Sequence, residues 1–144
     1  MIRIGFKHLN QINAQAEGAY PGECCGLLAG RVGADGAVTV TRVVASANVA
    51  DPPGDDRFEV EPKVRFDLMR ELTDTDEDIV GHYHSHPDHP AKPSQTDLAM
   101  AFEPDLVWLI TAVVSGTAGR TRAWRLNRDT GAIEDVTLEV GESS

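Results

Sequence analysis

The stretch GHYHSHPDHPAKPSQTDLAM, residues 81–100, sets the local fold and contains the residues most telling of function. Four of the five histidines of the chain lie within eight positions here, at His82, His84, His86 and His89. Residues 79–86 predict a strand, and the prolines that follow predict a loop. Residues 94–102 predict a helix, so a strand, a loop and a helix should follow one another.

On the N-terminal side of this stretch, the pattern alternates between strands and helices. Ile2, Ile4 and Phe6 alternate with polar or small residues, which predicts a short strand. Apolar residues at helical spacing predict an amphipathic helix over residues 7–19. We then expect two strands, at residues 24–31 and 38–44, joined by a hairpin turn. A polar loop at residues 45–56 and a second helix at residues 62–72 should follow. The inner side of the second helix should carry Arg65 at its edge, Leu68, Met69 and Leu72.

On the C-terminal side, residues 106–114 are strongly apolar and predict a central strand. Another strand is predicted near residues 122–126, and Val136, Leu138 and Val140 alternate as a last strand. Together these elements predict an α/β fold in which helices flank a mixed β-sheet. A chain of 144 residues is expected to form a single domain over residues 1–144.

Composition and charge exclude several classes of protein. Apolar residues make up 41% of the chain, but no apolar run approaches the roughly 18 residues of a membrane helix. The N-terminus lacks the apolar segment of a signal peptide, so a cytoplasmic protein with no membrane partner is expected. A net charge of −10 argues against nucleic acid as a partner, since phosphate binding needs a basic surface. Cys24 and Cys25 are adjacent, which favours packing in the core over a disulfide.

Two of the clustered histidines have the spacing of metal ligands. His84 and His86 lie on one face of the predicted strand, with Cα atoms about 6.6 Å apart, so their imidazoles can converge on one ion. His82 shares that face but lies about 13 Å from His86, which is too far for a common ion. His82 is therefore predicted to be a packed residue beside the site. Tyr83 and Ser85 point to the opposite face and should be buried.

The start of the predicted helix supplies a third candidate ligand. Ser94 and Asp97 have the spacing of an N-cap and its capping partner, which is the simplest interpretation of both. A capping serine accepts with its oxygen and keeps its hydroxyl hydrogen as a donor. Asp97, on the first turn, can face the strand end that carries the histidines. Two histidines, one carboxylate and an open position are the plan of a catalytic zinc site, although iron oxygenases use the same ligands.

The pattern His84-x-His86-x7-Ser94-x-x-Asp97 resembles the JAMM motif of the MPN+ metallopeptidases, the zinc-dependent deubiquitinase-like family. The segment PGECCGLLAG, which begins at residue 21, resembles the part of that family that carries a catalytic glutamate, here Glu23. The resemblance implies a cytidine-deaminase-like MPN/JAMM sandwich that binds one Zn²⁺ per chain, with a bound water. The implied ligands are His84, His86 and Asp97. Glu23 is the implied general base and acid, and Ser94 the implied donor to the oxyanion.

The compact chain resembles the minimal prokaryotic branch of that family, which is similar to processors of ubiquitin-like sulfur carriers with Gly-Gly tails. The resemblance implies a peptidase or isopeptidase that cleaves the amide bond after such a tail, with the loop at residues 45–56 close to it. The chain departs from the family at His82, where a tryptophan often stands. The alternatives are an inactive MPN-type scaffold, a general zinc peptidase and an iron oxygenase. A zinc nucleobase deaminase is disfavoured, because its His-x-Glu and Pro-Cys-x-x-Cys motifs do not occur in the sequence.

Overall fold

A computed structural model describes residues 1–51, 57–94, 97, 106–127 and 129–141 of the chain. Apart from Ser94 and Asp97, the predicted helix over residues 94–102 lies outside the described residues, and so do residues 52–56 of the predicted polar loop. The described part contains the following helices and strands: β1 Ile2–Gly5, α1 Phe6–Ala19, β2 Cys25–Val32, β3 Val38–Ser46, α2 Pro62–Leu72, β4 Asp78–Pro87, β5 Val107–Val114, β6 Thr117–Leu126, β7 Ile133–Val136 and β8 Leu138–Gly141. Neither of these helices is long and apolar enough to cross a membrane.

The strands form one sheet in the order β7-β6-β5-β4-β2-β3-β1-β8. β4 lies in its middle, antiparallel to β2 and parallel to β5, so the predicted mixed sheet is confirmed. A central strand is covered on both faces, and β4 shows this in its burial. Tyr83 and Ser85 are fully buried on one face, as predicted, while His84 and His86 are buried on the other.

The described chain ends in two strands where the sequence predicted one. Only Thr137 separates β7 from β8, yet these strands lie at opposite ends of the strand order. β7 pairs with β6, β8 pairs with β1, and the N–H of Ile2 donates to the carbonyl oxygen of Thr137 at 2.8 Å. The sheet therefore curls until one residue joins its two edges. The prediction of a single strand through Val136, Leu138 and Val140 was wrong, because alternation along a chain does not show a change of pairing partner.

Helix α1 lies against the concave face of the curled sheet. It contacts β1, β3, β5, β6 and β8, which come from both ends of the strand order. Ile12 and Ala16 are fully buried and belong to one core cluster with Leu28 and Leu109. The helix starts at Phe6, one residue earlier than predicted, and the Phe6 side chain is 54% exposed instead of closing the first strand.

Helix α2 covers the opposite face, which is also the face of the histidines, since Leu27 of β2 lies directly opposite His82 of β4. The helix begins at Pro62 as predicted, and Leu68 and Leu72 pack against Leu27. Met69 was predicted to face the core, but it is 56% exposed. The buried residues Leu68 and Leu72 are four positions apart and lie on one side of the helix. Met69 comes one position after Leu68 and is therefore turned towards solvent.

Candidate metal centre

The pairing of β2 with β4 brings Glu23 next to the histidines. Cys25 lies directly opposite His84 in the antiparallel ladder. The N–H of Cys24 donates to the Oγ of Ser85 at 2.8 Å, and the N–H of Ser85 donates to the carbonyl oxygen of Cys24 at 3.2 Å. Glu23 precedes this reciprocal pair, so the chain delivers it to the C-terminal end of β4. A residue far away in sequence is thereby fixed beside the His-x-His pattern.

Four buried side chains converge at this end of β4. The Nε2 atoms of His84 and His86 lie 3.1 Å apart. The Oδ2 atom of Asp97 lies 3.2 Å from the Nε2 of His84 and 2.9 Å from the Nε2 of His86. Glu23 completes the group, because one potential ligand atom from each of the four residues lies within 4.8 Å of the others. All four residues are less than a tenth exposed. The structure thus brings together the three predicted ligands and the predicted base.

The spacing of these atoms fits a tetrahedral metal ion. Ligands at zinc bond lengths of about 2.0–2.1 Å lie about 3.3–3.4 Å from one another at the corners of a tetrahedron. The two imidazole nitrogens and the Asp97 oxygen are separated by 2.9–3.2 Å, close to that value. Two imidazoles and a carboxylate are also donors that suit zinc or ferrous iron. Within the described part of the chain, this is the group of His, Cys, Asp and Glu side chains that could hold a metal.

The protonation states at the site favour metal binding. Burial lowers the pKa of His84, although the hydrogen bond and negative charge of Asp97 oppose that change. Burial alone would raise the pKa of Asp97, but hydrogen bonds with His84, His86 and the N–H of Ser94 hold it well below its usual range. Asp97 is therefore ionised and His84 neutral, which are the states in which these side chains bind metals.

Each of the two candidate histidine ligands has a neighbour that orients its ring. The Nδ1–H of His86 donates to the carbonyl oxygen of Pro90 at 2.9 Å, which turns Nε2 towards the site. The ring of Phe58 stacks on His84, with centroids 4.2 Å apart and planes tilted by 17°. His82 packs between Phe58 and Trp108, as a residue beside the site was predicted to do. Burial lowers the pKa of His82 to about 3, so it is neutral as well.

Asn48 ties the Glu23 segment to the chain that carries Phe58. Its Nδ2 donates to the carbonyl oxygens of Glu23 at 3.2 Å and of Arg57 at 3.1 Å. Its Oδ1 accepts from the N–H groups of Glu59 at 3.0 Å and of Ala50 at 3.1 Å. One side-chain amide thus uses two donors and two acceptor positions, which is its full capacity. Sequence reasoning missed Asn48 and Phe58, since their partners lie on segments far away in the chain.

Ser94 and Asp97 form the reciprocal capping pair that the sequence predicts. The N–H of Asp97 donates to the Oγ of Ser94 at 3.0 Å, and the N–H of Ser94 donates to the Oδ2 of Asp97 at 2.9 Å. The same Oδ2 faces His84 and His86. The cap therefore fixes the carboxylate oxygen that the metal would use. The hydroxyl hydrogen of Ser94 is a donor in this arrangement, and its role towards an oxyanion stays a prediction.

The family model described as prokaryotic homologs of the JAB domain matches residues 6–127, most of the chain. The chain belongs to this family. It is similar to the desampylase of Haloferax volcanii, with 36% identity over 102 residues that cover 71% of this chain and 70% of the relative. It is also similar to the CysO-cysteine peptidase of Mycobacterium tuberculosis, with 30% identity over 134 residues that cover 93% of this chain and 87% of the relative.

Solved structures share the fold over nearly the whole chain. Protein DSY2949 from Desulfitobacterium hafniense has a TM-score of 0.84 at 27% identity, with 99% of this chain and 94% of that chain covered. A protein from Salinibacter ruber has a TM-score of 0.74 at 32% identity, with 97% and 91% covered. AF2198, a JAB1/MPN domain protein from Archaeoglobus fulgidus, has a TM-score of 0.59 at 20% identity, with 99% of this chain and 100% of that chain covered. At this identity the similarity is evidence of the fold alone.

These similarities confirm the predicted MPN/JAMM fold and the assignment to the minimal prokaryotic branch of the family. The chain is a JAMM-type peptidase, since relatives over most of its length are named as a peptidase and a desampylase. The buried group of Glu23, His84, His86 and Asp97 fits the metal site that such an enzyme requires. The prediction of an inactive scaffold is accordingly the weaker alternative.

Proposed function

We propose that this chain is a single-domain, cytoplasmic zinc peptidase that acts on ubiquitin-like sulfur carriers. It would hydrolyse the amide or isopeptide bond after the C-terminal Gly-Gly of the carrier. The observation that carries the proposal is the buried convergence of Glu23 with His84, His86 and Asp97. The carrier substrate agrees with the name of one relative, a CysO-cysteine peptidase that aligns with 93% of this chain.

We assign His84, His86 and Asp97 to the metal and leave one coordination position for water or substrate. A zinc ion held there would supply an acidified water and a Lewis acid for the scissile carbonyl. The carboxylate of Glu23 would take the proton of the attacking water and then deliver it to the leaving amine. Burial suits this role, because a water-poor site strengthens each electrostatic interaction inside it.

Ser94 would donate its hydroxyl hydrogen to the oxygen on which negative charge develops. Its Oγ accepts from the N–H of Asp97, so the oxygen is held in place while the hydroxyl hydrogen is available. An iron oxygenase with the same three ligands would leave Glu23 and Ser94 without a role. The peptidase uses both, and we therefore prefer it.

The Gly-Gly tail has no side chains and can enter a narrow groove that other sequences cannot. We place this groove beside the loop at residues 45–56, in which Asn48 forms an antiparallel bridge with Val60, four residues beyond the loop. Shortening the loop should raise KM more than it lowers kcat, since the loop would bind the tail and perform no chemistry. Equal effects on both constants would remove the loop from substrate binding.

The test incubates zinc-loaded protein with sulfur carriers from the same genome, each extended at its C-terminus by one amino acid. Mass spectrometry should show cleavage directly after Gly-Gly. Replacing the penultimate glycine of the carrier with a bulky residue should slow cleavage sharply, because a side chain would clash in the groove. Equal rates on both tails would point to a general zinc peptidase. Zinc binding with no hydrolysis of any carrier would point to an inactive scaffold.

A further inference from the structure

The loop between the histidine ligands and Ser94 is held by main-chain hydrogen bonds around Pro90. The carbonyl oxygen of Pro90 accepts from the Nδ1–H of His86 at 2.9 Å and from the N–H of Lys92 at 2.8 Å. The next carbonyl, that of Ala91, accepts from the Nε1–H of Trp124 at 3.0 Å. Trp124 lies on β6, two strands away from β4 in the sheet.

One peptide unit links these bonds. The carbonyl of Ala91 and the N–H of Lys92 belong to the same planar peptide group. The Nε1–H of Trp124 binds the oxygen of this peptide group, that of Ala91. The N–H of the same peptide group, that of Lys92, donates to the carbonyl oxygen of Pro90. The Pro90 oxygen then accepts the Nδ1–H of His86. A continuous hydrogen-bonded path therefore leads from the indole of Trp124 to the imidazole of His86.

The indole is well placed to act as a fixed anchor. Trp124 is only 9% exposed and packs in one cluster with Ala91, Trp108 and Ile110. The guanidinium carbon of Arg122 lies over one face of its ring, 4.5 Å from the centroid. An indole has a single N–H donor, and here that donor is used on the loop. The ring cannot turn without losing both the packing and the bond.

We infer that Trp124 is a positioning residue for His86. By fixing the Ala91–Lys92 peptide, it aims the Pro90 carbonyl at Nδ1 of His86. The Nδ1–H of His86 is then held by the loop, and Nε2 faces His84 and Asp97. The inference rests on the proposed metal role of His86. It adds a residue of β6 to a site that the motif alone would build from β4 and the following loop.

The test substitutes Trp124→Phe, which keeps an aromatic ring in the cluster and removes only the N–H donor with part of the ring. Trp108→Phe is the matched control, since Trp108 lies in the same cluster but makes none of the hydrogen bonds to the loop described above. Zinc affinity is measured by competition with a chelator. Loss of a partner that orients a metal ligand costs about 10–100-fold in affinity. We expect about tenfold weaker binding for Trp124→Phe and less than twofold for Trp108→Phe.

A second measurement separates positioning from general destabilisation. NMR on the metal-free protein follows how fast the Nδ1–H of His86 exchanges with solvent. This N–H should exchange slowly in wild type and in Trp108→Phe, and faster in Trp124→Phe, because its acceptor, the Pro90 carbonyl, is no longer held in place. Turnover on a cleavable carrier should fall through kcat with KM within about twofold, because the carrier surface is unchanged.

Equal zinc affinity and equally fast exchange of the His86 Nδ1–H in Trp124→Phe and Trp108→Phe would overturn the inference. If Trp124→Phe does not fold, hydrogen exchange on the wild type decides. The indole N–H of Trp124 should then exchange as slowly as the buried amides of β5, and fast exchange would overturn the inference. If the wild type binds no zinc, the proposed function fails, while the exchange of the His86 Nδ1–H in the metal-free variants still tests the role of Trp124.

Discussion

The two walls of the site are built in different ways. The metal wall consists of His84, His86 and Asp97 and comes from one continuous stretch, residues 84–97. The glutamate wall consists of Glu23 with Asn48, which the pairing of β2 with β3 brings together, and the pairing of β2 with β4 places Glu23 beside the histidines. Pro90 and Ser94, close in sequence, hold the proposed ligands His86 and Asp97, whereas sheet pairing positions the proposed base. Substitutions should therefore be able to break the metal wall and the glutamate wall separately.

Loss of a metal ligand should have the largest effect. His84→Ala or Asp97→Ala leaves two protein ligands, so zinc should be lost together with all measurable turnover. Metal content of the purified proteins, measured by mass spectrometry, checks this. His89→Ala is the matched control, because His89 is exposed on the same loop and should keep about one zinc per chain. Full zinc occupancy in His84→Ala and Asp97→Ala would show that the ligands are assigned wrongly.

Glu23→Gln should break the glutamate wall and leave the metal wall intact. The amide cannot take a proton, so turnover should fall by about 10²–10⁴-fold while zinc content stays unchanged. Glu59→Gln is a fitting control, since the exposed Glu59 lies nearby and binds Asn48 through its main-chain N–H only. Steady-state rates on a cleavable carrier give the comparison. Wild-type turnover in Glu23→Gln would make Glu23 an ordinary turn residue.

The contrast between the walls also explains what the sequence could predict. The metal wall follows a local pattern, and His84, His86, Ser94 and Asp97 all lie where their spacing predicts. Glu23 taken alone is a turn residue after Pro-Gly, and only the family resemblance pointed to it. The contacts of Asn48 and Phe58 depend on sheet pairing and on the curl of the sheet, which leave no periodic signal in the chain.

The parts of the fold that depend on contacts distant in sequence were likewise not predicted. Most helices and strands were predicted within a few residues, because each has its own periodicity or turn signals. The split of the last strand at Thr137 was not predicted, since it follows from the closure of the whole sheet. The exposure of Met69 was missed because two neighbouring helix faces are both apolar enough to be the inner one.

Ser94 lies in the same stretch of sequence as the metal wall and caps Asp97, but it would act on the reaction. Ser94→Ala should lower turnover by about 10²–10³-fold through the lost oxyanion donor, and cost about 1 kcal/mol of stability through the lost cap. Zinc should remain bound, because the main-chain N–H that Asp97 accepts from is retained. Ser94→Asp separates the two roles, since aspartate caps well but cannot donate when ionised. Full activity of Ser94→Asp would leave Ser94 as a cap only.

Phe58 joins the two walls, and its substitution should have the smallest effect. Its ring stacks on the proposed ligand His84, while its segment is tied to Glu23 through Asn48. Stacked aromatic pairs contribute about 0.5–1.5 kcal/mol beyond their burial, so Phe58→Leu should weaken zinc binding by about 2–12-fold. Leucine keeps an apolar side chain against the histidine, so turnover at saturating zinc should change little.

The control for Phe58 is Phe66→Leu, because Phe66 on the outer side of α2 is 59% exposed and belongs to neither wall. Chelator competition on both variants isolates the stacking, since both lose one phenyl ring. Equal affinity in the two variants would mean that the ring of Phe58 only fills space and that the sheet and loop alone orient His84. A weaker affinity confined to Phe58→Leu would show that the segment carrying the glutamate wall also tunes the metal wall, so the walls would be coupled through one aromatic ring.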